Sequence, residues 1–467
     1  MEDVKVDDIK KVKAYQRSAV FVGISTSFVT GFLGSALNLA IPEMSAYFEM
    51  GAASVGWLVT AYMLVMAALS VPFGKLADST GRRRWLLTGN LIFAATAAVA
   101  AFAPSAAVIL IVRVLQAVGA AMILATNMPI AISAFPGSQR GKAIGMVTSG
   151  VYAGLALGPV LGGFLNSAFG WQSIFIFAAL IGTVAVIITI KGVPKDDKKE
   201  APDTKHDIVG NVLYMFMIAS FIYGLTAFNS VPFGWAFIIV AIVVGFIFVK
   251  NELKAENPMM DVRIFASNRD YTLSNLTALF NYAATFALGY MTSIYLQVVA
   301  GFTSQAAGFV LIAQPVCMAL LSPRMGRLSD KVAPYKLASA GMGLCALALL
   351  SFVFITADTP VALIVIALAI AGIGIAFFSS PNTNVIMGCV PPAKFGVANS
   401  ILSTMRTTGQ SAGMAIITII VSATVGNVSL YSVDPETLVN TIHIGFAIFT
   451  VLCIAGIFMS LQRSKEK

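Results

Sequence analysis

The chain has 467 residues, 58% of them hydrophobic and 11% charged, whereas ordinary soluble domains carry about 25% charged residues, so a water-soluble fold is excluded. The net charge of +9 on so apolar a chain reflects basic loops facing the anionic inner leaflet, and gives no ground for a nucleic-acid partner. Cys317, Cys345, Cys389 and Cys453 lie in or beside separate apolar segments without close spacing, so neither a zinc site nor a disulfide framework is indicated, and no metal or cofactor is expected.

Apolar runs of about 20 residues each read as spanning helices. Fourteen are present, near 18–41, 53–72, 84–103, 106–133, 141–165, 170–190, 208–228, 234–250, 271–298, 306–325, 336–356, 360–386, 395–422 and 442–461. Residues 1–17 are hydrophilic and mixed in charge, and the run after them is too long for a signal-peptide core, so it stays as a helix behind a cytoplasmic tail. With that tail inside, 28 of the 30 Lys and Arg fall in the tail or at the even-to-odd loops, and the seven outer loops hold none. The positive-inside rule requires this segregation of fourteen spans with both termini cytoplasmic. The other two cations, Arg113 and Arg406, lie inside helices.

The first helix carries Ser25, Thr26, Ser27, Thr30, Ser35 and Asn38 in an otherwise apolar run. Polar groups at membrane depth face protein or a water-filled cavity. Hydroxyls can bond back to their own helix, an explanation that is weaker for Asn38. Between the second and third helices stands GKLADSTGRRRWL, residues 74–86, in which Gly74 and Gly81 let the chain turn and Asp78 has Lys75, Arg82, Arg83 and Arg84 as possible partners. The fourth helix holds Arg113, Gln116 and Asn127. A guanidinium there needs a carboxylate, carbonyls or water, as a fixed tie between helices or as a functional group. In the fifth helix Gly150, Gly154 and Gly158 recur every four residues and Tyr152 stands among them. Pro159, Gly162 and Gly163 follow, making a smooth stripe for close packing with a proline that allows a bend.

Residues 191–207 are the longest polar stretch and read as a cytoplasmic linker at the midpoint. Two helices follow, then a second polar segment at 251–270 and a six-helix block laid out like the first. Within that block GRLSDKV, residues 326–332, echoes the earlier loop: Gly74 to Gly326 and Asp78 to Asp330 are both 252 residues apart. The second helix of each half is thus followed by the same loop, which predicts parallel repeats with two helices inserted between them. The units are a tail (1–17), a first bundle (18–190), the linker (191–207), the inserted pair (208–250) and a second bundle with its flanking segments (251–467). The ninth helix carries Asn281, Tyr282 and Tyr290, and in the twelfth Pro381 is expected to break the helix amid Ser379, Ser380, Asn382 and Asn384. The thirteenth has Arg406 with Gly409, Gln410 and Gly413.

Gly74, Leu76, Ala77, Asp78, Gly81, Arg82 and Arg83 resemble the loop 2–3 signature of the major facilitator superfamily, and Gly326, Leu328 and Asp330 its weaker second copy. Arg113, Gln116, Gly119 and Ala120 resemble the helix 4 motif, with Ala117 where glycine is usual. Gly145, Gly154, Gly158, Pro159, Gly162 and Gly163 resemble the helix 5 motif of exporters. With fourteen helices, the chain is similar to the drug:proton antiporter branch that includes multidrug, quaternary-ammonium and tetracycline exporters. The resemblance implies an all-α major facilitator fold of two six-helix bundles plus two inserted helices, monomeric and multi-pass in the cell (inner) membrane. It implies export of small amphipathic compounds by alternating access, with protons as the coupling ion and the two loops as gates. It also implies a cavity lined by helices 1, 4, 9 and 12, for which Asn38, Asn127, Tyr152, Asn281, Tyr282, Tyr290, Asn382 and Arg406 are candidates.

One departure bears on coupling. Many relatives carry LDSTIVNVALP in helix 1, with an aspartate that handles protons or cations, whereas this chain reads LGSALNLAIP and has Gly34 at that position. No acid is placed deep in a predicted helix. Glu43, nine residues on and about 13 Å along the helix, points to the opposite face at the outer end and is the coupling candidate. The missing acid and the two intramembrane arginines keep open an alternative, a facilitator or uptake carrier for a neutral or anionic metabolite. Enzymatic chemistry has no support, since no constellation of nucleophile, base and metal ligands is present.

Overall fold

The computed structural model describes residues 6–50, 52–195, 207–226, 233–425 and 434–463. The first half comprises α1 (Val6–Tyr47), α2 (Ala52–Thr80), α3 (Arg82–Ala100), α4 (Ala106–Ser133), α5 (Arg140–Phe169) and α6 (Gln172–Gly192). A hairpin of α7 (Ile208–Thr226) and α8 (Ala236–Lys254) follows, then the one-turn α9 (Arg263–Ser267). The second half comprises α10 (Arg269–Ile294), α11 (Ser304–Leu311), α12 (Ala313–Leu328), α13 (Pro334–Phe352), α14 (Val361–Gly388), α15 (Phe395–Thr424) and α16 (Pro435–Leu461). All fourteen predicted runs are occupied by helix, the tenth shared by α11 and α12. Among the described residues, eleven helices are long and apolar enough to cross a membrane by length and composition. The three other long ones, α3, α10 and α15, carry more polar residues, including Arg82 to Arg84, Asn281 and Arg406.

Helix α1 begins at Val6, inside the segment read as a tail, because no glycine or proline separates that segment from the apolar run. One expectation is corrected. Pro381 does not break its helix: α14 runs without interruption to Gly388. Proline removes one backbone donor, but close packing on both sides keeps the helix going, and Asn382 donates from Nδ2 to the Ser274 carbonyl of α10 at 3.1 Å. Pro159 likewise lies inside α5.

Within lipid the packing of helix on helix depends on close contact more than on burial from water, and the small residues serve that. A Cβ on Gly150 would stand 2.6 Å from the Ile24 carbonyl, and one on Gly154 2.2 Å from that of Phe28, so only glycine lets α5 lie along α1. Gly158 and Gly162 continue the seam against Ser35 and Ala36. The second half repeats the arrangement, with Gly409 and Gly413 of α15 against the carbonyls of Leu279 and Ala283 on α10. Each half has its own apolar core, and Tyr152 of α5 is buried in the core of the other half. The halves meet mainly through α5 with α12 and α2 with α15.

The α7–α8 hairpin packs across α2 and α15. Tyr214 shares a 2.9 Å hydrogen bond with Thr404 of α15, and Tyr223 stacks on Trp57 of α2 with ring centroids 5.9 Å apart. The inserted helices therefore bridge one helix from each half.

Candidate functional site

The two loop copies lie at one end of the bundle, and each binds the opposite half. Asp78 sits in the last turn of α2, ahead of Gly81, whose φ of +114° makes the turn into α3 in a region that disfavours side chains. Its carboxylate accepts the backbone N–H groups of Gly396 at 3.0 Å and Val397 at 3.1 Å. These belong to the first turn of α15, where amides have no partner within the helix and carry its positive dipole end. Arg82 Nε donates to the same carboxylate at 2.8 Å, and its other nitrogens reach Ser133 Oγ at 3.0 Å and the Pro392 carbonyl. Arg82 and Arg140 both approach the ring of Phe395, 5.8 and 5.2 Å from its centroid.

Asp330 repeats the contact in the other direction. It accepts Gly141 N–H at 2.7 Å and Lys142 N–H at 3.0 Å, in the first turn of α5. Burial pushes this carboxyl above the usual carboxylate range, and the two N–H bonds and Asn384 hold it back. The glycines make these approaches possible. A Cβ on Gly74 would lie 2.8 Å from the Gly396 carbonyl, and one on Gly326 2.1 Å from that of Gly141. Gly145 joins this contact, with a Cβ there 2.4 Å from the Ser322 carbonyl of α12, so the helix 5 motif serves two neighbours. Arg83 stays within the first half, donating to the carbonyls of Val193 and Ile190 at 2.8 and 3.1 Å at the end of α6.

The two intramembrane arginines differ. Arg113 is buried and enclosed: Nε donates to the Leu58 carbonyl at 3.1 Å, Nη1 to Gln116 Oε1 at 2.6 Å, and the guanidinium lies 4.2 Å from the centroid of Tyr62. It ties α4 to α2. Arg406 is half-buried, with a long 3.4 Å bond to Ser403 Oγ on its own helix. It stands within electrostatic range of the buried Tyr152, which packs in the same apolar core as Tyr282. Tyr282 and Ser379 share a 3.2 Å hydrogen bond. Tyr152, Tyr282, Ser379 and Arg406 come from α5, α10, α14 and α15, so this interior group draws on both halves.

The other candidates separate. Asn127 donates to Ser27 Oγ at 3.1 Å and ties α4 to α1. Asn281 is buried beside Cys345 within the second half, on a different face of α10 from Tyr282, and Asn382 is held by Ser274 in the same half. Tyr290 is 39% exposed. The side chain of Asn38 lies outside the described residues. Gly34 is exposed with nothing within 4 Å of an added Cβ. Glu43 is exposed at the end opposite Asp78 and accepts Asn166 Nδ2 of α5 at 2.8 Å.

Sequence reasoning missed Gly141 and Gly396, the partners of the two loops, although they lie 255 residues apart, close to the 252 that separates the loop copies. It also missed Ser379 as a partner of Tyr282, and Glu252, which is buried at the foot of α8 and accepts Met260 N–H at 2.8 Å. No local signal marks Glu252, because a polar segment follows it directly.

A sequence profile of the Major Facilitator Superfamily matches residues 23–250 and 275–467. The riboflavin transporter RibZ of Clostridioides difficile is 32% identical over 83% of this chain and 84% of its own length. The multidrug resistance protein Stp of Mycobacterium tuberculosis is 30% identical over 83% and 72%. The multidrug efflux pump LfrA of Mycolicibacterium smegmatis is 29% identical over 83% and 77%. Among solved structures, the human organic anion transporter MFSD10 superposes with a TM-score of 0.68 at 14% identity, covering 96% of this chain and 98% of that one.

Proposed function

Because this chain belongs to the Major Facilitator Superfamily, and is thus a multi-pass membrane transporter of small molecules and not an enzyme, we propose that it exports small amphipathic compounds by alternating access, driven by protons. The observation that carries this reading is the exchanged pair of bonds, Asp78 to the start of α15 and Asp330 to the start of α5. They are polar and join the two halves at one end of the bundle, so they can break and re-form as that end opens. In this reading fourteen helices span the membrane, both termini are cytoplasmic, the Asp78 end is the cytoplasmic gate in its closed form, and the monomer is the working unit. The export direction draws on the multidrug relatives, and RibZ is the reason to test both directions.

Glu43 is the coupling group in this proposal. Its carboxylate bridges α1 to α5 through Asn166 at the outer end. The test is substrate flux and proton movement in proteoliposomes with an imposed pH gradient, in the native chain and in Glu43→Gln. Substrate-dependent proton movement that is lost in Glu43→Gln is expected. Transport that persists with no proton movement would sink the coupled mechanism. A second reading, a facilitator for neutral or anionic metabolites, is favoured by Gly34, where nothing among the described residues lies within 4 Å of an added Cβ.

A further inference from the structure

Among the described residues, Arg406 is a half-buried cation inside a helix with no carboxylate in ion-pair distance. Arg406 lies eleven residues beyond the start of α15, about 16 Å along the helix axis and so near the middle of a spanning segment. A guanidinium at that depth is costly unless it is paired or solvated. Arg113 shows how the chain satisfies one, with a carbonyl, an amide oxygen and an aromatic face. Arg406 has none of these partners, only the 3.4 Å bond to Ser403, and among the described residues no carboxylate lies within ion-pair distance of it. Its side of α15 faces the interior: Asn399, two turns earlier on the same side, donates to the Leu124 carbonyl of α4 at 2.6 Å.

We propose that Arg406 is the recognition group of the interior site and that the substrate is an organic anion, a carboxylate or phosphate attached to a flat ring. The planar fork of guanidinium donors suits the two oxygens of such a group. The neighbouring Tyr152 and Tyr282 supply aromatic surface and hydroxyls for the ring. The same positive charge, with no acid beside it, disfavours cationic compounds by like-charge repulsion. This rests on the transport reading above and narrows it, since a carrier of this build differs in substrate charge from an exporter of quaternary ammonium compounds.

A matched pair of dyes tests it. Fluorescein carries a benzoate carboxylate on the phenyl ring attached to its xanthene, and rhodamine 6G has the same phenyl-xanthene frame with that acid esterified and amino groups that give a net positive charge. Binding to the purified full-length protein in detergent is read by fluorescence polarisation at low and high salt. Fluorescein should bind, be displaced by benzoate and by phenyl phosphate, and weaken as salt rises, with rhodamine 6G at least tenfold weaker. Arg406→Gln should lose fluorescein binding at least tenfold, and Arg406→Lys, which keeps the charge and loses the fork, should fall between. Should Arg406→Gln fail to fold, the dye pair in the native protein and the Lys variant still decide. No fluorescein binding, equal binding of both dyes, or an unchanged affinity in Arg406→Gln would each overturn the proposal. Binding needs neither gradient nor direction. A protein that selects fluorescein yet shows no export would overturn the exporter reading alone, and flux of rhodamine 6G indifferent to Arg406→Gln would overturn this one alone.

Discussion

Replacing Gly326 with alanine perturbs the contact between the halves without changing any charge. In the structure the added Cβ would stand 2.1 Å from the Gly141 carbonyl oxygen, 2.8 Å from Gly145 Cα and 2.9 Å from Gly145 N, all backbone atoms that cannot rotate away. Real Cβ contacts essentially never fall below 3.0 Å, so α12 and α5 must separate before this end can close. Overpacking of this kind costs about 1–3 kcal/mol. Because the opposing atoms belong to the other half, in the proposed cycle the cost falls on the closed form and not on the open one. At 1.4 kcal/mol per tenfold, that moves the closed-to-open ratio by roughly 5- to 150-fold towards open. The readout is alkylation of a single cysteine placed on the inner face of α5 or α12, with size-exclusion behaviour and thermal unfolding as the check that the fold survives. Gly326→Ala should label several-fold faster than the parent and transport more slowly, since the cycle must pass through the closed form. Labelling and transport both equal to the parent would refute the assignment of this seam as a gate.

Asp78→Asn keeps the shape but gives up the charge and one of the two oxygens facing Gly396 and Val397, so transport in proteoliposomes should fall several-fold; a full transport rate would remove Asp78 from the gate. Arg113→Lys loses the stacking on Tyr62 and the bond from Nε to Leu58, and should lower thermal stability by about 2–4 kcal/mol while substrate affinity in the folded fraction stays unchanged. Tyr214→Phe breaks the bond from the inserted hairpin to Thr404 and should cost about 1 kcal/mol in denaturant unfolding, whereas a value near zero would mean the hairpin is held by its apolar contacts alone.

The apolar runs determined, from sequence alone, the helix positions, and the loop at residue 74 with its echo at 326 marked the two matching contact points. Those signals are legible because lipid length, charge bias and tight turns act on residues close together in the chain. The glycine stripe of α5 was legible as a packing face, but its partners were not: the sequence does not say that Gly145 meets α12 while Gly154 meets α1. Which face of a helix meets which neighbour depends on how the bundle closes, and one turn separates a tie from a site. Asn281 and Tyr282 are adjacent, yet one faces Cys345 inside its own half and the other joins Ser379 across from Tyr152. Likewise two intramembrane arginines read alike in the sequence. Only the tertiary structure enclosed Arg113 between α2 and α4 and left Arg406 with no acid beside it among the described residues, because compensation of a charge is decided by what lies within a few ångströms in space.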